Sequence, residues 1–216
     1  MGDEVMYMRG KGVSMYLSDI IDLCDYHGSN YGGQEWKLTP YIQIKGEGDN
    51  RRTPGYPTTV STIWDKYQTE IKLASVETLC PIEIIVAIIA TESKGNTNAV
   101  REEPGYRKNY AKHLISVGLM QPLITTAEQM LNKTLNVTKL QVPLTNILAG
   151  AKYVQYQANV SNTLLDPVLS AAAYNAGGLY EDSQNEFGLV VYKDHLDRFI
   201  RWYNDFIYWR FYEKTE

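Results

Sequence analysis

The 216-residue chain is poor in the groups that metal and disulfide chemistry require. It has two cysteines, Cys24 and Cys80, so one disulfide is arithmetically possible but a disulfide framework or a Cys-rich zinc site is not. Two free thiols is the expected state. The three histidines, His27, His113 and His195, are far apart, and no His-Glu-x-x-His stretch occurs, so the ligands of a metalloprotease are missing. No metal or cofactor is expected. Positive charge is also short: the net charge is −4, which disfavours nucleic acid and anionic membrane surfaces as partners. The longest apolar run, residues 84–90, is far too short to span a bilayer. The first residues, Met1-Gly2-Asp3-Glu4-Val5-Met6, lack the basic start and apolar stretch of a standard signal peptide. Cytoplasmic synthesis without such a leader is therefore the expectation. There is no βαβ alternation and no internal repeat.

Tyrosine, in contrast, is abundant, with 17 copies against 4 Phe and 4 Trp. A flat apolar ring with a polar tip suits sugar contact, although most of these side chains are expected to be half-buried core residues. Two regions differ in pattern. Residues 1–57 carry scattered Gly, Asp and turn signals such as Gly46-Glu47-Gly48-Asp49-Asn50, with a short helix over 18–26 and a strand over 41–44. They read as an irregular N-terminal extension of unknown role. Residues 58–216 read as a helical domain, and the fold class is mainly α. Its helices are expected over 58–79 (capped by Thr58 or Thr59), 82–93, 125–131, 143–159, 166–178 and 190–212. The last has an apolar stripe of Leu196, Phe199, Ile200, Tyr203, Phe206 and Ile207. Its aromatic residues (Trp202, Tyr208, Trp209 and Phe211 among them) can contact a membrane or a partner, but packing against the N-terminal arm is the simpler explanation.

The helix over 82–93 is apolar on nearly every face and must be central. Glu92 closes it. A carboxylate there has lost water and faces the negative end of the helix dipole, and both effects favour its protonated form. A protonated carboxyl near neutral pH is what a glycosidic oxygen needs in order to leave. The bland alternative is a glutamate that is simply the first exposed residue past a buried helix.

The surroundings favour the catalytic reading. Glu92-Ser93-Lys94-Gly95-Asn96-Thr97-Asn98-Ala99-Val100 resembles the Glu-Ser-x-x-Asn-Pro-x-Ala-Val stretch of soluble lytic transglycosylases and their goose-type lysozyme relatives. Ser116-Val117-Gly118-Leu119-Met120-Gln121 resembles their Gly-Leu-Met-Gln motif. Asn146-Ile147-Leu148-Ala149-Gly150-Ala151-Lys152-Tyr153 and Ala173-Tyr174-Asn175-Ala176-Gly177-Gly178 follow in the family's order. The resemblance covers about residues 58–212. The chain departs from it at Gly95, Thr97 and Pro122, which bear on loop shape and subsites more than on chemistry.

The resemblance implies a lysozyme-like fold and a site made of Glu92 as the catalytic group with Ser93, Gly118, Leu119, Met120, Gln121, Tyr174 and Asn175 binding substrate. Gly118 either admits a sugar ring to the backbone or is an ordinary turn glycine. Gln121 can donate to and accept from sugar hydroxyls. Met120 is a soft cleft wall or a plain core residue. Tyr174 is expected to hydrogen-bond the Glu92 carboxyl. Asn175 is expected to tie the halves of the cleft together, and Ser93 either caps the helix or binds ligand.

Glycosidases usually use two carboxylates. The candidates for a second are Glu102, Glu103 and Asp166, and none matches a second acid of the family. Glu103 is expected to pair with Arg101 or Arg107; facing the cleft instead, it would permit hydrolysis. The implied activity is a lytic transglycosylase cutting peptidoglycan glycan strands between N-acetylmuramic acid and N-acetylglucosamine, with 1,6-anhydro products. The alternatives are a hydrolytic muramidase and a non-catalytic virion protein on the same fold. The setting expected from the missing leader is a phage-type enzyme, such as an endolysin released through holin pores, a virion-borne enzyme or an injected effector, acting on the bacterial cell wall in the periplasm. No protein partner is read from the sequence.

Overall fold

The computed structural model describes residues 23–104 and 114–210. Among these residues there are two short antiparallel hairpins and seven α-helices. Strands β1 (Trp36–Leu38) and β2 (Ile42–Ile44) precede helices α1 (Thr58–Thr78) and α2 (Ile82–Ser93). Strands β3 (Val100–Glu102) and β4 (Ile115–Val117) follow, then α3 (Ile124–Leu131), α4 (Val137–Leu140), α5 (Pro143–Val160), α6 (Pro167–Ala176) and α7 (His195–Tyr208). The chain is mainly α, as its periodicity predicts. None of these helices is long and apolar enough to cross a membrane.

Helix α2 is the hub. Residues 84–90 have no exposed surface, and the helix packs against α1, α5, α6 and α7. Each fully buried isoleucine contributes about 1.5–3 kcal/mol relative to exposure, so this rod alone accounts for much of the folding drive. Its C-terminus is forced out of the core at Ser93, where Lys94 takes a left-handed conformation and returns its N–H to Ala90. Glu92 is thereby fixed at the boundary between core and cleft.

The sequence-derived bounds hold closely for α2, α3, α5 and α6; at α6, Asp166 accepts from the Leu169 N–H as the N-cap, with Pro167 first in the helix and Gly177 closing it. Three expectations need correction. Neither Thr58 nor Thr59 caps α1; Pro57 holds that position, without a side-chain bond. The last helix begins at His195, not near Val190, because the preceding segment is bonded elsewhere: Val190 N–H to Tyr180 O and Tyr192 N–H to Asn175 Oδ1. Residues 23–26 are turns and not the end of a helix; the remainder of that expected helix, with Phe211 and Tyr212, lies outside the described residues. The strand expected over 41–44 is present as β2, with Ile42 and Ile44 paired to Leu38 and Trp36. Both cysteines are free, Cys24 exposed and Cys80 buried.

The arm over residues 23–57 shares the core. Trp36, Leu38, Ile42 and Ile44 are buried in the same cluster as α2 and α7, and Asn204 of α7 exchanges bonds with the Ile42 backbone at 2.8 and 2.9 Å. The aromatic stripe of α7 is thus covered from within the chain. A second latch joins the arm to α6. Asp166, 2 % exposed, accepts from Trp36 Nε1 at 2.9 Å and lies 2.6 Å from His27 Nε2. Burial opposes charge on His27, but the bonds to Asp166 and to the Asp25 carbonyl outweigh it and raise the pKa above 6.5. A raised folded pKa means stabilisation that is full below the unfolded value and lost as pH climbs through the folded one. His27→Gln should therefore flatten the fall in stability above pH 6.5, and His27→Ala should cost about 2 kcal/mol at pH 6. Denaturant melts of the three proteins at pH 6 and 8.5 measure both.

Candidate active site

The cleft around Glu92 encloses about 400 Å³. Its floor is the end of α2. One wall is the β3–β4 hairpin, which contributes Arg101, Glu103 and Ser116; the opposite wall is α5 and α6, with Tyr153, Tyr174 and Asn175. Side chains alternate across a strand. Arg101 and Glu103 therefore share a face, turned toward the cleft, and Glu102 points away from it. The register sets Arg101 opposite Ser116, and Glu103 Oε1 accepts from Arg101 Nε at 2.7 Å and from Ser116 Oγ at 2.5 Å. Glu103 therefore does both things weighed for it: it pairs with Arg101 and it lines the cleft. Arg107 lies outside the described residues.

The Glu92 side chain is 9 % exposed. Burial raises its pKa from 4.5 to about 7; Arg101 and Arg198 pull it down and Glu103 pushes it up, but desolvation dominates. Arg198 also donates from Nη1 to Thr91 O at 3.0 Å, which satisfies one of the carbonyls at the end of α2. A carboxyl with that pKa is about half protonated at neutral pH and largely protonated below it, and it can exist as the carboxylate once its proton has gone.

The motif residues divide into those that meet the cleft and those that build it. Glu92, Gln121, Tyr174 and Asn175 line it, with Glu103. Ser93, Gly118, Leu119 and Met120 are not among its lining residues and act behind it. Ser93 Oγ donates to Leu119 O at 2.7 Å and accepts from Gly95 N, which ties the end of α2 to the following loop. Gly118 has φ +77, and a Cβ there would sit 2.3 Å from Asn146 Nδ2. The packing of Asn146 is by itself enough to require a glycine there. Leu119 and Met120 are fully buried, and the Met120 side chain fills the space left by Gly150, where a Cβ would meet its sulfur at 2.4 Å. Met120 is a core residue and not a cleft wall.

Three further expectations change in detail. Tyr174 donates its hydroxyl to Met120 O at 2.8 Å instead of to Glu92. That carbonyl is a buried acceptor that needs a partner, and burial, with Glu92 nearby, holds the phenol firmly protonated. Gln121, left-handed at φ +50, donates from Nε2 to Gly118 O and Ala99 O at 2.8 and 3.1 Å. Its donor is occupied by the loop, which leaves Oε1 to accept from a ligand. Asn175 does not bridge the two cleft walls; it ties the end of α6 to the start of α7, accepting from Tyr192 N and meeting His195 Nδ1 at 3.3 Å.

Three contributors were not read as site residues from the sequence. His195 places Nδ1 3.8 Å from Glu92 Oε1. Arg198 stands one turn further along α7, and Tyr153 packs edge-on against Tyr174 with ring centroids 5.4 Å apart. Tyr153 was visible within its motif, but not as a cleft residue. Among the described residues there is no group of three His, Cys, Asp or Glu side chains placed to hold a metal ion.

No curated protein matches the chain. The family model for the Transglycosylase SLT domain matches residues 71–186, from the middle of α1 past the end of α6. The matched segment takes in Glu92, the loop that carries Gln121 and the α6 wall, and it spans more than half of the sequence. The chain therefore belongs to the lysozyme-like SLT family, whose reaction is the lytic transglycosylation of peptidoglycan.

Proposed function

We propose that Glu92 is the sole acid and base for cleavage of the β-1,4 bond between N-acetylmuramic acid and N-acetylglucosamine. The observation that carries this reading is the Glu92 carboxyl itself, desolvated at the end of an apolar helix, open to the cleft and raised to about pKa 7. Its proton goes to the glycosidic oxygen, the bond from that oxygen to the muramoyl C1 breaks, and the N-acetylglucosamine unit leaves as an alcohol. The substrate's acetamido group stabilises the cationic C1. The Glu92 carboxylate then takes the proton of the muramoyl 6-hydroxyl as O6 bonds to C1, which closes the 1,6-anhydro ring and restores the acid.

Hydrolysis would instead need a carboxylate free to hold water on the far side of the ring. Glu103 is the nearest candidate, and its Oε1 is committed to Arg101 and Ser116. This favours the lyase outcome over the muramidase. Mass spectrometry of muropeptides released from purified sacculi should therefore show 1,6-anhydromuramoyl ends. Reducing N-acetylmuramic acid ends would assign hydrolysis, and no release at all would leave the domain a peptidoglycan-binding module.

A further inference from the structure

We propose that His195 is a positioning residue for Glu92: a neutral imidazole, its tautomer set by Asn175, whose Nδ1 faces the carboxyl as an acceptor and aims its proton. This rests on the reading of Glu92 as the acid. The hydrogen-bond network sets the tautomer. Asn175 Oδ1 accepts from the Tyr192 N–H at 2.8 Å, so the amide must present its NH2 to His195. That NH2 lies 3.3 Å from Nδ1, so Nδ1 is the acceptor and the ring proton sits on Nε2. Nε2 is buried with no hydrogen-bond partner among the described residues, and a second proton would have to sit on Nδ1, against the Asn175 NH2.

The charges around the pair support a neutral ring. His195 opens α7, where the positive end of the helix dipole disfavours an imidazolium. Burial, then Arg198 and Arg101, lower its pKa to about 4 against the opposing pull of Asp194. Glu92 faces Arg101 and Glu103 from the hairpin, Arg198 and His195 from α7, and the Tyr174 phenol from α6. Because Glu92 binds its proton far more tightly than His195 does, a proton shared between them stays on the carboxyl. An imidazolium in the same place would instead stabilise the carboxylate and empty the acid before substrate arrived. Nδ1 has one lone pair, which the Asn175 N–H takes at 3.3 Å while Glu92 Oε1 stands at 3.8 Å, too far for a hydrogen bond; the carboxyl takes it over as the contact tightens around substrate.

Nitrogen-15 spectra of histidine-labelled wild-type protein test this without a substitution. The expected result is one imidazole, assigned by its loss in His195→Gln, that stays neutral with Nδ1 unprotonated between pH 5 and 8. Its Nδ1 resonance should shift as Glu92 titrates near pH 7, and that shift should vanish in Glu92→Gln. In activity profiles, His195→Gln should lower kcat about 10- to 100-fold with little change in KM or in the alkaline limb. His195→Lys should move that limb down by about one pH unit or more, since it sets a fixed cation beside the carboxyl. An imidazolium at pH 6–7, or an Nδ1 resonance blind to Glu92, overturns the proposal even if the lysine variant does not fold. Lysis by Glu92→Gln would instead overturn the assignment of the acid, so the two failures are distinct.

Discussion

Glu92→Gln is expected to give a folded protein that no longer lyses purified peptidoglycan. Loss of a general acid typically costs about 10²–10⁴-fold, and here one group serves as both acid and base, so the upper end applies. Stability should move the other way. A carboxyl whose folded pKa is raised from 4.5 to about 7 penalises the fold progressively as pH climbs from about 4.5 to 7, where the unfolded chain gives up the proton that the folded one keeps, and the penalty stays constant above 7. Glutamine is neutral at every pH and removes the penalty, which is about 3 kcal/mol at pH 9 as an upper figure. Inactive protein with an unchanged melt at pH 4 and a higher Tm at pH 9 is the expected pair of results. A variant that is inactive because it is unfolded would say nothing about the acid, so the melt and the zymogram belong together.

The second large effect is expected at Asn146, which touches no part of the cleft. It is fully buried, and three backbone groups depend on it: Nδ2 donates to Val117 O and Leu140 O at 2.7 and 2.8 Å, and Oδ1 accepts from Met120 N at 2.8 Å. These bonds pin the loop between β4 and α3, and with it Gln121, to the first turn of α5. Asn146→Ala leaves two carbonyls and one N–H buried without partners and should cost about 3–5 kcal/mol. Asn146→Asp is nearly isosteric, yet it should be at least as damaging. It sets an oxygen against two carbonyl oxygens at hydrogen-bond distance and buries a charge. Urea melts rank the variants; an Asp variant as stable as wild type would mean that the network is not holding the loop.

The helical frame was legible because its signals are local. Residues 82–93 are apolar on all faces, Pro143 and Asp166-Pro167 mark helix starts, and Gly177 marks an end. Glu92 was legible for the same reason, as one carboxyl at the end of an apolar run. The support around it was not. His195 and Arg198 reach the site from α7, about a hundred residues further along the chain, and nothing in their own neighbourhood announces it. The β3–β4 pairing was missed because Val100–Glu102 is three exposed residues with no alternation to read. The motif residues mislead in a consistent direction. Ser93, Gly118, Leu119 and Met120 sit in a run that reads as substrate-binding, yet their partners are Leu119 O, Asn146, the core and Gly150. A backbone that must pass close beneath a ligand needs packing as specific as the ligand does, and a sequence does not distinguish the two demands.

The most direct test is an infrared titration of the Glu92 carboxyl, taken as wild type minus Glu92→Gln. Protonated and ionised carboxyls absorb at separate frequencies, so the difference spectrum isolates one group among many. A midpoint near pH 7 is the predicted result. A midpoint near 4.5, the ordinary value for a solvated glutamate, would mean that burial does not keep this proton in place, and the single-acid account would be contradicted.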